Sequence, residues 1–189
     1  MITGASRGIG LALVKWFSAN QHKVWAISRN KKPITQLNLP NVTSSTLDLT
    51  DEAAVLAWSQ NMAPDIIDAL INNAGKLLNK PFADTQQSDF ETVFRVNVFG
   101  LANITRALLK KLQPGGHVVN ISSMGGIGGT LKFPGLAAYS SSKGAVSILT
   151  ELLAEECKES GPTVNALALG TVQTEMLTEA FPDLEVPMT

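Results

Sequence analysis

Five short apolar runs punctuate the chain: "KVWAIS" (23–28), "SSTLDL" (44–49), "IDALINN" (67–73), "GHVVNIS" (116–122) and "PTVNALAL" (162–169). Their length and near-continuous apolar character predict strands buried on both faces of a parallel sheet. Between them, "IGLALVKWFSAN" (9–20), "DEAAVLAWSQN" (51–61), a segment from Ser88 to Leu112 and another from Tyr139 to Glu159 have the spacing and length of helices. This alternation predicts an α/β fold, a doubly wound parallel sheet with helices on both faces in three α/β/α layers. Met1, Ile2 and Thr3 are all that stand where a first, central strand should run, at the short limit for a strand. No repeat or Pro-, Gly- or Ser-rich linker divides residues 1–189, so one domain is expected. The glycine-rich "SSMGGIGGTLKFPG" (122–135) reads as a flexible loop, and loops after the carboxyl ends of strands are where such sheets bind ligands.

Composition narrows the function classes. With 44% hydrophobic and 16% charged residues, disordered and collagen-like chains are excluded. A net charge of −1 offers no field for nucleic acid or an anionic membrane. Cys157 has no cysteine to pair with, and His22 and His117 stand too far apart in sequence for metal-ligand spacing. No run reaches the roughly 20 apolar residues of a membrane span, and no basic, apolar leader opens the chain. The expectation is a cytoplasmic protein whose partners are small molecules or copies of itself.

The opening "MITGASRGIG" places Gly4, Gly8 and Gly10 where a tight turn, close backbone approach to a pyrophosphate and close helix packing need them. A glycine turn before a helix is also a common structural device, so other positions must decide. In NAD users a carboxylate about 20 residues on binds the ribose 2′-hydroxyl, whereas a cation there accommodates a 2′-phosphate. Here the second strand ends Ser28, Arg29, Asn30, and Arg7 adds a cation in the glycine loop, which favours NADP(H) over NAD(H). Asp48 could accept from an adenine amine or serve the start of the next helix. On the segment after Ser88, Phe90, Phe94, Leu101, Ile104 and Leu108 form an apolar stripe that also carries Asn97. A buried amide there is either a structural bridge or part of a polar site. Tyr139 and Lys143 lie four residues apart, about 40° around a helix, on a stripe continuing through Val146, Thr150, Leu153 and Cys157. The lysine is expected to face inward, and a cation close to a phenol favours the phenolate.

The ordered set TGASRGIG, DLT, NNAG, Asn97, ISS and YSSSK resembles the short-chain dehydrogenase/reductase family in its single-domain, Rossmann-like form, over nearly the whole chain. The resemblance implies a catalytic tetrad of Asn97, Ser123, Tyr139 and Lys143. Tyr139 would give a proton to a substrate carbonyl and take it back in the reverse direction. Lys143 would hold the nicotinamide ribose and support the tyrosinate, Ser123 would hydrogen-bond the carbonyl oxygen, and Asn97 would anchor a water linked to the lysine. It further implies cofactor contacts from Gly4, Ser6, Arg7, Gly8, Ile9 and Gly10 at the phosphates and adenosine ribose. Ser28 and Arg29 would meet the 2′-phosphate, Asp48 and Leu49 the adenine, and Asn73, Ala74 and Gly75 the ribose side. Gly170, Val172 and Thr174 would meet the carboxamide, with Leu169 where the family usually has proline. The implied activity is an NADP(H)-dependent interconversion of carbonyl and alcohol in a homodimer or homotetramer. An alternative is a catalytically silent NADP-binding regulator or scaffold of the same fold. Against the family pattern, the chain stops at Thr189 without the final strand and helix, and "TLK" (130–132) lengthens the loop between Ser123 and Tyr139.

Overall fold

The computed structural model describes residues 1–183. Its strands are β1 (Ile2–Thr3), β2 (Val24–Ser28), β3 (Val42–Thr46), β4 (Ile67–Asn72), β5 (Leu112–Ser123) and β6 (Thr163–Leu169). They form one parallel sheet in the order β3-β2-β1-β4-β5-β6. The order reverses between β1 and β4, and that reversal places a crevice at the carboxyl ends of the central strands. Although β1 has two residues, both are buried and it pairs on both sides, Ile2 with Ala26 and with Ile71.

The helices are α1 (Gly8–Ala19), α2 (Lys32–Thr35), α3 (Glu52–Asn61), α4 (Gln87–Phe94), α5 (Leu101–Leu108), α6 (Ala137–Cys157) and α7 (Glu175–Ala180). Two apolar clusters sandwich the sheet. On one face Val55 and Trp58 of α3, Ile104 and Leu108 of α5 and Cys157 of α6 meet Ile27, Leu70, Val118 and Val164. On the other, Val14 of α1 and Ile34 of α2 meet Ile2, Val24, Ala26, Ile71 and Ile121. Neighbouring residues Ala26 and Ile27 go to opposite clusters, so both faces of β2 are covered and its sequence needs no polar alternation.

The expected third strand lies earlier than "SSTLDL", at Val42–Thr46, and Leu47 to Leu49 leave it as a loop. Asp51, not Asp48, caps α3, its side chain accepting from the amide of Ala54 at 2.9 Å. The long segment from Ser88 ends in helix at Leu108 and is interrupted by a π-helical stretch, Arg95–Gly100. That extra residue per turn shifts the buried stripe: Val93 is fully buried whereas Phe90 and Phe94 are half-buried, and Asn97 heads the stripe of Leu101, Ile104 and Leu108.

A polar ladder crosses the first cluster. Asn72 donates to Asn120 at 2.8 Å and to Thr105 at 2.9 Å, Asn120 donates to Thr150 at 2.9 Å, and Thr150 donates to the carbonyl of Val146 at 2.7 Å. All four side chains are buried, so a missing member leaves others unpaired in an apolar setting. Asn120→Leu is expected to cost about 3 kcal/mol of stability, read as a lower denaturant midpoint at unchanged slope.

Candidate active site

The turn from β1 into α1 is built by glycine. Gly4 has φ of 64°, and a Cβ there would stand 2.7 Å from the Cα of Ala74. At Gly10 a Cβ would stand 2.3 Å from the carbonyl oxygen of Gly4, a contact that only glycine avoids. Asn73 braces this turn by donating to the carbonyls of Thr3 and Gly4, both at 3.1 Å, while the hydroxyl of Thr3 accepts from the amides of Asn73 and Ala74 at 3.1 Å. The NNAG segment thus locks the glycine loop from behind. Helix α1 begins without a side-chain cap and without an acid in its first turn, leaving its N-terminal amides and positive dipole end for an anion.

A cleft of about 770 Å³ runs from this loop along the carboxyl ends of the strands. Gly4, Ser6, Arg7, Gly8 and Ile9 line it, with Ser28 and Arg29 after β2, Asp48 and Leu49 after β3, and Asn73, Ala74 and Gly75 after β4. Ser123, Tyr139, Lys143, Gly170, Val172 and Thr174 line its other wall. Gly10 and Asn97 do not reach the surface of the cleft; the first packs the glycine turn and the second stands behind the wall. The hydroxyl of Ser28 commits its proton to the carbonyl of Asn30 at 2.6 Å.

The two arginines differ. Arg29 is exposed and makes no ion pair among the described residues. Arg7 instead makes a two-pronged ion pair with Glu179 of α7, which ties the glycine loop to the far side of the cleft. Asp48 accepts from the amide and hydroxyl of Thr50, both at 2.9 Å. Those bonds, chiefly the amide, and in lesser part the nearby Arg29, hold its carboxyl below the usual range.

At the opposite end α6 carries Tyr139 and Lys143 against the end of β5. Lys143 is 4% exposed, and its ammonium donates to the carbonyl of Ile121 at 2.6 Å and lies 5.9 Å from the centre of the Tyr139 ring. Burial lowers its pKa to about 8. The Tyr139 phenol, expected to be pulled down by the lysine, is pushed up by burial, with a smaller downward pull from a hydrogen bond to Ser123. Desolvation outweighs the cation because the ammonium is directed at a backbone carbonyl and reaches the ring only at a distance.

Asn97 is 1% exposed. Its carbonyl oxygen accepts from the amide of Lys76 at 2.7 Å, and its amide group donates to the carbonyl of Lys76 at 3.0 Å and to the hydroxyl of Ser142 at 2.8 Å. Both readings of this residue meet here: it bridges backbone, and it abuts the polar site. Both amide protons are committed, leaving only the second lone pair of Oδ1 for the water that the family resemblance implies. A Cβ on Gly75 would lie 3.6 Å from Oδ1 of Asn97 and 3.7 Å from Nζ of Lys143, so the loop after β4 passes close over both.

Ser142 escapes a reading of the sequence, as does the helical form of the tail from Glu175, whose Met176 and Leu177 the sequence does point to as lining an apolar pocket. Ser142, within the serine run, joins Asn97 to α6 by donating to the carbonyl of Tyr139 at 2.6 Å. Helix α7, which Thr174 caps by accepting from the amide of Leu177, closes one side of the cleft with Met176 and Leu177. Its signals are present in "TEML", a threonine cap followed by an acid in the first turn.

Known proteins match this chain in sequence and fold. The family model described as short chain dehydrogenase matches residues 1–185. Carbonyl reductase (NADPH) 2 of Sus scrofa is 35% identical over 182 residues, which cover 93% of this chain and 72% of that protein. The NADPH-dependent pterin aldehyde reductase of Arabidopsis thaliana is 34% identical over 192 residues, covering 96% and 77%. A crystal structure of a short chain dehydrogenase from Shigella flexneri complexed with NADP superposes with a TM-score of 0.89 at 26% identity, over 97% of this chain and 81% of that one. Sheet order, glycine turn and matched span agree, and the chain belongs to the short-chain dehydrogenase/reductase family of oxidoreductases.

Proposed function

We propose that this single domain is an NADP(H)-dependent oxidoreductase that interconverts a carbonyl and an alcohol, with Tyr139 as proton donor and acceptor. The observation that carries the reading is the meeting of Tyr139, Ser123 and Lys143 on the wall of the cleft that begins at the glycine turn. The residues present fit the cofactor. An uncapped helix start suits the pyrophosphate, and an exposed arginine without an ion pair among the described residues follows β2 where an NAD user would carry an acid. When bound, the cofactor supplies hydride to the carbonyl carbon or removes it from the alcohol. The chain's own part is proton and charge: Tyr139 donates to the carbonyl oxygen, and Ser123 donates a hydrogen bond to the same atom. Lys143, charged below about pH 8, stabilises the phenolate that Tyr139 leaves behind. Asn97 holds Lys76 and Ser142 in place and thereby the turn of α6 that carries the pair.

NADPH oxidation with a panel of aldehydes and ketones tests the reading, and turnover removes the catalytically silent alternative. Binding of NADPH without turnover on any carbonyl would overturn ours. Arg29→Ala is expected to weaken NADPH about 30-fold and NADH by less than threefold, compared in paired titrations, because only NADPH carries the 2′-phosphate. The partners are a small carbonyl or alcohol and further copies of the chain in a homodimer or homotetramer. Ile148 and Leu152, exposed on α6, are the apolar side chains that such an assembly would cover. The proposed location is the cytoplasm; among the described residues no helix is long and apolar enough to cross a membrane.

A further inference from the structure

Past Tyr139 and Ser123 the cleft opens into a mouth formed by the loop after β4, the glycine-rich loop and α7. Leu77, Met124, Leu131, Phe133, Met176 and Phe181 line it. Three of these are apolar side chains left in solvent on one loop: Met124 is 43% exposed, Leu131 77% and Phe133 53%. Exposed apolar groups scattered singly need no explanation, but a group of them around one concavity marks a binding surface. Two hydrogen bonds tie the walls of the mouth to one another. Asn79 donates to the carbonyl of Ala180 at the end of α7 at 2.8 Å, and the amide of its neighbour Lys80 donates to the carbonyl of Gly135 at 2.9 Å.

The charges are elsewhere. Among the described residues, the charged side chains lining the cleft are Arg7, Arg29, Asp48, Glu175 and Lys143. The first three lie at the glycine turn or after β2 and β3, Glu175 faces Gly8, and Lys143 is buried against Ile121. Lys132 stands between Leu131 and Phe133, yet its ammonium folds back onto its own loop, donating to the carbonyl of Ile127 and to the hydroxyl of Thr130. Lys80 is paired with Asp89 at 2.7 Å and lines no part of the cleft. A carboxylate or sulfonate brought into the mouth would lose water and meet no free cation among the side chains that line it; Lys76, exposed on the loop after β4, is not one of them and stands close enough to Asp89 to help lower its pKa.

We propose that the enzyme selects uncharged carbonyl compounds bearing an apolar chain or ring beside the carbonyl, and rejects those bearing an anionic group at that end. The proposal rests on the carbonyl-reducing function assigned above and adds the chemical class of the substrate. Each methylene buried against these side chains is worth about fourfold in affinity.

A matched pair tests it: 2-octanone and 7-oxooctanoate share a methyl ketone and carbon count and differ in the terminal carboxylate. Their dissociation constants from the protein loaded with NADP⁺ are measured by calorimetry, and their kcat/KM values with NADPH. The expected result is at least about 30-fold tighter binding of 2-octanone and a kcat/KM ratio of the same sense. Phe133→Lys, an exposed position whose change leaves the core intact, is expected to improve 7-oxooctanoate at least about fivefold while slightly weakening 2-octanone. Equal binding of the pair within threefold, preference for the keto acid, or no response to Phe133→Lys would each overturn the proposal. A binding preference of the expected size without turnover of either compound would support the selective mouth and overturn the catalytic reading.

Discussion

Tyr139→Phe is expected to lower kcat for carbonyl reduction by about 10³-fold while leaving the dissociation constant of NADPH within threefold. The substitution removes one oxygen and keeps the ring, so the packing of α6 against β5 stays as it is. What disappears is the donor that neutralises the oxygen as the carbonyl becomes an alkoxide. Ser123 still offers a hydrogen bond but has no acidic proton to give up, which is why the loss is that of general acid catalysis rather than of binding. Steady-state kinetics with 2-octanone and a direct NADPH titration separate the two quantities, and a variant retaining a tenth of wild-type turnover would rule out Tyr139 as the acid. The upward push on this phenol gives a second signature. Reduction needs the neutral hydroxyl, which burial preserves beyond the ordinary tyrosine range, so the proton donor is intact throughout the neutral range. Alcohol oxidation needs the phenolate and is expected to climb with pH from neutral into alkaline solution.

Lys143→Met is expected to reduce turnover by about 10²-fold and at the same time to raise stability at pH 7 by about 1 to 2 kcal/mol, or several degrees in Tm. The native ammonium gives up its proton at about pH 8 in the folded chain and near 10.5 when unfolded. Across that window the unfolded chain binds more protons, so stability rises with pH from 8 to 10.5; below pH 8 the full cost of holding the charge is present, about 3 kcal/mol. Methionine fills a similar volume without charge, recovering that cost less the hydrogen bond lost to the Ile121 carbonyl. Denaturant melts of both proteins at pH 7 and pH 10 read the effect: the gain with pH should be smaller in the variant by the Lys143 contribution, leaving the part due to the buried Met1 ammonium, whose pKa is lowered to about 6. A variant less stable than wild type at pH 7 would mean that the ammonium is a net structural support.

Strands β2, β4 and β5 were legible because both apolar clusters cover them, whereas the half-exposed edge strand β3 starts earlier than the pattern predicts; the inward turn of Lys143 and the stripe through Val146, Thr150 and Cys157 were legible as well. Simple periodicity failed where the helix changes type. Phe94 lies on a regular 3.6-residue stripe with Leu101, but the π stretch from Arg95 to Gly100 rotates everything before it and buries Val93 instead. Asp51 and Asp48 both precede α3, and only the acid directly before Glu52 meets the free amide of Ala54. The residue types of the site could be read in order along the chain, whereas their partners could not. Arg7 and Glu179 are 172 positions apart, and no local pattern announces that one takes the other's charge. The fold-back of Lys132, on which the electrostatics of the mouth depend, is likewise a matter of loop conformation that its neighbours in sequence do not encode.

The amide of Asn97 spends its donors completely, and this sets what evolution or an engineer can place there. Position 97 must supply one acceptor and two protons, from a side chain short enough to lie flat against the peptide of Lys76. Aspartate would keep the bond from the Lys76 amide but set an oxygen without a proton against the Lys76 carbonyl, leucine would leave the Lys76 peptide unpaired, and glutamine would carry the amide one methylene too far. In effect the side chain imitates the edge of a neighbouring strand, pairing both backbone groups of Lys76 four residues beyond the last residue of β4. The position is therefore an alphabet of one letter, chosen by backbone accounting before any chemistry on a substrate is considered.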